Sequence, residues 1–491
     1  MKDYLRNIRL LQPASSSSLP DTKRIILCGR PWEVREFAQL PDGLTYTCIS
    51  YVWGQEMTES ILDRGQLMSR RTIQVVEAAI TASQSPKRWA RVEFENANAK
   101  ASVLHATQAY WVDALCTPAE SAARTATLLS MGKIYSSARQ VFVVLSAASA
   151  EVLHQIRDTG GLDAKALSII EKDPWITRSW TYQEIVNSMA SYFIVEDDES
   201  VIVSGVDFLS AILVATDDYR RVNGIDSIGW RLQYATLDSL ECLIADYKIA
   251  NYAERSAYQA MTAMSTRFCE RTEDHFYSMI GAITKSTPSM QIDEATSASE
   301  YFMKTCEEKG DYSFIYSTAP RNTTIGKRWR PIEGKFQPIV IELVIFGDGQ
   351  PGNRHPTHIE LTKMARLVIC PIGPEGLKAT KAHLAMVHRN RPVGNIYSAP
   401  SDVAEAILEL IRAKGFSGSG RYVEVENGFF FLQSELEPTD DTFIALSTEV
   451  NWQGGGPGML LRSNATGVND FCDVGVFFGR IPKIVETICV R

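Results

Sequence analysis

Apolar positions along the chain alternate between short continuous runs and longer stripes at helical spacing. Tyr46 to Trp53, YTCISYVW, is β-branched and aromatic and is closed by Gly54, which predicts a buried strand ending in a turn. Thr72 to Ala82 places Ile73, Val76, Ala79 and Ile80 on one helical face. Ser85 to Lys100 is polar with mixed charge and reads as an exposed insertion, mostly loop. Ala109 to Ala114, AYWVDA, predicts a second strand ending at Asp113. Thr117, Pro118 and Glu120 then supply an N-cap hydroxyl, a proline at the first helical position and a carboxylate at the third, a capping box. Leu128, Met131, Tyr135 and Ala138 form the buried stripe of that helix. Val141 to Leu145, VFVVL, is the unbroken apolar run of a strand covered on both faces. Leu153 to Ile170 predicts a helix interrupted at Gly160 and Gly161, and Tyr192 to Val195 a further strand.

Between these last two elements lies Asp173 to Met189, DPWITRSWTYQEIVNSM. Asp173 before Pro174 reads as a helix start. Trp180 and Glu184, four apart, share one face of the helix that follows. The alternation of strands and helices predicts an α/β fold with a parallel, doubly wound sheet. Ligands in such sheets bind beyond the carboxyl ends of the strands. That puts Trp53, Gly54 and Asp113 at one rim, with the helix carrying Glu184 nearby.

From Asp207 to about Ile283 the pattern is mostly helical, with apolar positions at Leu237, Leu240, Ile244, Tyr258, Met261 and Met264. Pro288 and its Ser/Thr-rich surroundings suggest a joint, and Ala295 to Glu308 a short helix. Beyond 310, alternation, glycine and proline predict an α+β domain. Val423 and Val425, then Asn427-Gly428, then Phe429 to Leu432 is a hairpin signal. Ser401 to Gly415 reads as a helix capped by Ser401 and stopped by Gly415. The expected organisation is a lead-in over 1–45 with a serine linker at Ser15 to Ser18, an α/β core over 46–200, a helical extension over 201–309 and an α+β domain over 310–491.

The chain has 491 residues, enough for two or three domains. A formal net charge of −8 argues against a nucleic-acid partner, which needs a basic surface. Nine cysteines, odd in number and without a C-x-x-C pair, fit a reducing compartment. The start, MKDYLRNIRLL, carries an acid and no sustained apolar run, unlike a signal peptide. The most apolar stretch, Ile339 to Phe346, contains Glu342 and is too short to span a bilayer. A cytoplasmic location without membrane attachment is the expectation.

The motifs met in order resemble the fungal heterokaryon incompatibility (HET) domain. They are Ser50-Tyr51-Val52-Trp53-Gly54, Trp111-Val112-Asp113-Ala114-Leu115-Cys116, Met131 with Ile134-Tyr135 leading into VFVVLS, and Arg178-Ser179-Trp180-Thr181-Tyr182-Gln183-Glu184. The stretch from Arg271 to Gly281, RTEDHFYSMIG, looks like the segment that often trails this domain. After Cys116 the family continues Ile-Asn-Gln, whereas Thr117-Pro118-Ala119 stands here. HET domains are in turn distantly similar to TIR domains, some of which cleave NAD. In those a tryptophan precedes the catalytic glutamate by four residues on a helix, the spacing of Trp180 and Glu184. The resemblance therefore implies a flavodoxin/TIR-like sheet, a cell-death or non-self-recognition role, and self-association or a partner incompatibility protein.

Cleaving the nicotinamide–ribose bond leaves an oxocarbenium-like sugar, and nicotinamide departs as a neutral molecule that needs no acid. One carboxylate that stabilises positive charge can then suffice. The resemblance makes Glu184 the catalytic group and NAD a substrate, with no cofactor or metal. Tyr51, Trp53, Gly54, Asp113 and Trp180 are the candidate substrate contacts. Plainer readings stay open: Trp53 and Trp180 as core aromatics, Asp113 as the cap of a turn, Cys116 as a buried inert thiol. His355 and His358 lack a third ligand at familiar spacing. Gly454 to Gly458 lacks the lysine of a phosphate loop and reads as a flexible turn. Lys327, Arg328 and Arg330 read as a solvated basic cluster. Three functions fit: an NAD-consuming effector, a non-catalytic signalling module, and an enzyme acting on another nucleotide or metabolite.

Overall fold

The computed structural model describes residues 6–15, 23–60, 62, 67–84, 107–225, 227–249, 255–284, 296–332, 334–341, 349–387 and 399–491. The expected insertion over 85–100, residues 16–18 of the serine patch, the joint at Pro288 and most of the apolar stretch at 339–346 lie outside the described residues. The chain forms two units, one of Met1–Ala253 with Arg267–Ser297, the other of Glu254–Thr266 with Ala298–Arg491. No helix among the described residues is long and apolar enough to cross a membrane.

The first unit opens with β1 (Arg6–Pro13), β2 (Ile25–Leu27) and β3 (Arg30–Gln39). Next come β4 (Thr47–Tyr51), β5 (Met57–Glu59), β6 (Leu67–Ser69), α1 (Arg71–Gln84) and β7 (Tyr110–Trp111). Four helices follow in pairs around β8 (Gln140–Leu145): α2 (Asp113–Cys116), α3 (Ser121–Leu129) and α4 (Met131–Ser137) before it, α5 (Ala150–Thr159) after it. Then come α6 (Ala164–Ile170), α7 (Pro174–Thr177), α8 (Ser179–Val186), β9 (Ser191–Val195) and β10 (Asp198–Ser204). The unit continues through α9 (Gly205–Asn223), α10 (Ser227–Gln233) and α11 (Ala235–Ile249). The chain passes through α12 (Ala257–Met264) of the second unit and returns with α13 (Thr272–Ile283).

The sheet runs β10-β9-β8-β4-β7-β1-β3-β2. β7, β4, β8 and β9 are parallel to their neighbours in that run, and the outer strands pair antiparallel. The fold is thus mixed α/β. Every residue of β4, β8 and β9 is buried, which is why these strands read as continuous apolar runs. The segment before residue 46, read as a lead-in, supplies three strands to this sheet, and β10, DESVIVS, was not foreseen.

Several local expectations are corrected. β7 has only two residues, and Asp113 opens a helical turn instead of ending a strand: Ala114 N donates to Asp113 Oδ1 (2.6 Å) and Thr117 N to Asp113 O (3.0 Å). The N-cap of α3 is Glu120, not Thr117. Its carboxylate accepts from Ala122 N and Ala123 N, the two N–H groups an N-cap side chain reaches. The helix expected after it breaks at Ser130, and Leu129 instead of Leu128 is buried. Asp173 does cap α7, accepting from Trp175 N at 3.0 Å, but α7 ends after one turn. Arg178 is extended there because the backbone of Phe268 takes its neighbours: Phe268 N donates to Thr177 O (2.7 Å) and Ser179 N to Phe268 O (2.9 Å).

The second unit adds α14 (Ala298–Lys309), β11 (Gly352–Arg354), β12 (Ile359–Leu367), α15 (Pro374–Val387) and α16 (Pro400–Ala413). It ends in β13 (Tyr422–Val425), β14 (Gly428–Leu432), β15 (Thr442–Ser447), β16 (Gly455–Arg462), β17 (Val468–Gly479) and β18 (Glu486–Val490). Its strands run β11-β12-β15-β16-β17-β14-β13, and β18 pairs with both β12 and β17. β12, β15, β16, β17 and β18 therefore close on themselves, which leaves none of the five as an open edge. Leu367, Phe430, Ile444, Leu460 and Phe477 belong to the packed core. The β13–β14 hairpin forms as read from Asn427-Gly428. α16 is capped at Ala399, whose N–H donates to Asp402 Oδ2, so Ser401 lies inside the first turn. The glycines from Gly455 to Gly458 are buried strand, not a flexible turn, and α15 was not foreseen.

Candidate functional site

The site grows from the alternation of β4. Ser50 and Tyr51 are consecutive, so their side chains leave the strand on opposite faces. Ser50 Oγ accepts from Trp175 Nε1 (2.8 Å) and donates to Glu184 Oε2 (2.5 Å). The Tyr135 hydroxyl of α4 also donates to Glu184. Tyr51 gives its phenol proton to Asp113 and accepts from Thr72 Oγ1 (2.8 Å). Trp53, just past the strand, donates Nε1 to Asp113 Oδ2 (2.7 Å). β4 and β7 are parallel neighbours, which is what brings Trp53 and Asp113 together at one strand end.

Asp113 is half-buried and Glu184 is 5% exposed. Burial pushes Glu184 up to about 7, the negative charge of Asp113 adds to the rise, and Ser50, Arg178 and Tyr135 oppose it. Asp113 is also raised by burial, against the indole of Trp53, the N–H of Ala114, and the charge of Arg178. The two carboxylates feel each other and share one cation, Arg178. Burial likewise drives the Cys116 thiol up to about 12, so it is no nucleophile near neutral pH.

Two buried groups hold these side chains. Asp173 Oδ2 accepts from Ser146 N (3.0 Å), Ser146 Oγ (2.8 Å) and Ser149 Oγ (2.7 Å), which ties the end of β8 to the turn bearing Trp175. Arg267 Nη1 donates to Ile176 O and Arg178 O, both at 3.0 Å, and its guanidinium lies over the Tyr182 ring. It clamps the joint between α7 and α8.

Tyr51, Trp53, Asp113 and Glu184 thus meet in one network. Gly54 sits at the turn beyond, its N–H donating to Ser69 Oγ (2.8 Å). Trp180, half-buried, hydrogen-bonds Asp274 of α13. Sequence reading missed Ser50, Tyr135, Trp175, Arg178 and Arg267. Ser50 carried a signal, as the polar residue inside an apolar strand. Arg267, far along the chain, carried none. Among the described residues no three histidine, cysteine or acidic side chains cluster as a metal site. His355 and His358 stack on each other with ring centroids 4.6 Å apart. Arg330 is buried and paired with Glu300 (2.9 Å) and Glu307, so it does not belong to a solvated basic cluster.

Residues 46–166 match the family model described as Heterokaryon incompatibility protein (HET). This stretch is a HET domain. It contains Ser50, Tyr51, Trp53, Asp113 and Tyr135, while Trp175, Arg178, Trp180 and Glu184 lie beyond the end of the match. The network therefore joins the HET domain to the segment that follows it. No curated protein and no solved structure matches the chain.

Proposed function

We propose that this protein acts in heterokaryon incompatibility through its HET domain, by hydrolysing the nicotinamide–ribose bond of NAD. The observation that carries the chemistry is the pair Glu184 and Asp113, coupled through a poorly solvated space beside Arg178. A glutamate whose pKa is about 7 is substantially ionised at neutral pH and poorly solvated. Such a carboxylate stabilises developing positive charge more strongly than one in water. In the reaction the bond from ribose C1′ to the ring nitrogen breaks and the nitrogen keeps the electron pair. Water then attacks C1′ and releases a proton. The strand order β7-β4-β8-β9, which is second, first, third, fourth in the sequence, supports a doubly wound, flavodoxin/TIR-like reading of the parallel part.

One observation favours a non-catalytic signalling module instead. Ser50 and Tyr135 already bond to Glu184, and Trp53, Tyr51 and the Ala114 N–H already bond to Asp113. In that reading the network only fixes the fold, and the domain works by self-association or with a partner incompatibility protein. Incubating the purified protein with NAD and following nicotinamide separates the two. Release that is abolished by Glu184→Gln in a folded protein supports hydrolysis. No release from a concentrated, self-associated sample supports the module, and loss of a different nucleotide supports another substrate.

A further inference from the structure

Three arginines act electrostatically on Asp274: Arg271, the N-cap of α13, Arg124 of α3, and Arg178 at the α7–α8 joint. Arg124 and Arg271 are exposed and Arg178 is half-buried. None of the three guanidinium groups has a hydrogen-bond or ion-pair partner among the described residues, whereas most buried or half-buried arginines of the first unit are engaged. Trp180 occupies Asp274 from a fourth direction through its indole. Three cations against one half-buried carboxylate leave this face positive, in a chain whose formal net charge is −8. Glu270 and Glu273 flank Arg271 in sequence and are exposed, so they soften this excess without pairing with it.

Arg178 also acts on Asp113, Glu184 and Tyr51. The positive face is therefore continuous with the carboxylate pair. Its position is fixed by its own backbone: Arg178 O accepts from Arg267 Nη1, and the residues on either side are bonded to Phe268. Guanidinium groups with free N–H donors match phosphate oxygens in geometry and charge. We propose that Arg124, Arg178 and Arg271 form an anion-binding rim that takes the diphosphate of a nucleotide whose ribose lies against Glu184. The position of the ribose rests on the hydrolase reading; the anion rim does not.

The test is calorimetric titration of the full-length protein with ADP and with inorganic pyrophosphate, adenosine serving as the uncharged control. Wild-type protein should bind ADP and pyrophosphate, more weakly as salt is raised. The double variant Arg124→Gln, Arg271→Gln, both at exposed positions, should weaken ADP binding by roughly tenfold or more. Adenosine should bind both proteins equally or not at all. Arg178→Gln should weaken ADP binding as well, with an unchanged thermal midpoint showing that the fold holds. Equal ADP affinity in wild type and double variant, or no binding of ADP or pyrophosphate by wild type, overturns the rim. Nicotinamide release is scored separately, so ADP binding that depends on these arginines in a protein that leaves NAD intact keeps the rim and discards the hydrolase.

Discussion

Ser50 of β4 hands its hydroxyl proton to Oε2 of Glu184 over 2.5 Å and takes one from Trp175 Nε1 over 2.8 Å. One small side chain thereby connects the central strand, the one-turn helix α7 and the helix α8. The acid that carries the chemistry is positioned by a residue that lies 134 places earlier in the chain.

Ser50→Ala should be costly for its size. The indole N–H of Trp175, fully buried, would lose its acceptor, and Glu184 would lose one of its donors. Stranding buried polar groups costs about 1–3 kcal/mol each. A loss of roughly 2–4 kcal/mol in denaturant unfolding is expected, and a change below half a kilocalorie, the range of a neutral surface substitution, would contradict the network. Glu184 should titrate higher still in this variant, since the Ser50 bond holds it down.

The pH dependence of stability should carry the signature of Glu184. Its pKa is raised from 4.5 to about 7 in the folded protein. The folded state therefore binds more protons than the unfolded chain between these values. The stabilising contribution of this group is complete below pH 4.5 and is lost as pH rises through about 7. Glu241 is raised to about 7 as well, chiefly by burial, so wild-type protein alone does not isolate the effect. Glu184→Gln should stabilise relative to wild type at pH 8 and lose that advantage by pH 4.5. A difference between the two proteins that stays flat across this range would show that Glu184 is not perturbed. If Glu184 is the catalytic carboxylate, turnover in wild type should rise through the same window.

Arg267 bears on the same acid from the backbone side. Its Nη1 holds the carbonyls of Ile176 and Arg178, while Phe268 bridges Thr177 and Ser179. Arg267→Met keeps much of the apolar length and removes the donors. The joint between α7 and α8 should then open locally, and amide exchange at Ser179 and Phe268 should accelerate by about tenfold or more, the equivalent of one lost charge-assisted bond. Unchanged exchange at both amides would mean that Arg267 merely fills space.

What the sequence made legible follows from how local each feature is. β4, β8 and β9 are buried along their full length, so composition alone marks them, and the Asn427-Gly428 turn announces its hairpin because the turn geometry demands those residues. Asp173 caps α7 through its own chain, and this too was readable. The break at Arg178 was not, because its cause is the backbone of Phe268, ninety residues on. Nor was the short β7, where Asp113 diverts the chain into a helical turn. At the site, the motifs pointed to Trp53, Asp113 and Glu184, whereas Ser50, Arg178 and Arg267 enter through contacts made only once the sheet and α13 are assembled.

Gly132 and Gly281 show how tightly that assembly is set. α4 and α13 approach so closely that a Cβ on Gly132 would meet the Gly281 carbonyl and lie 2.6 Å from Thr284 O. Both obstacles are backbone, which yields only if a helix moves. Gly132→Ala would gain about 1 kcal/mol of helix propensity. Overpacking against rigid atoms costs roughly 1–3 kcal/mol or more and should win. The variant should unfold at lower denaturant, and because Tyr135 sits on the same helix and donates to Glu184, the displaced α4 should raise the Glu184 titration as well. A stabilised Gly132→Ala protein with an unshifted Glu184 would mean that the two helices stand farther apart than a glycine contact allows.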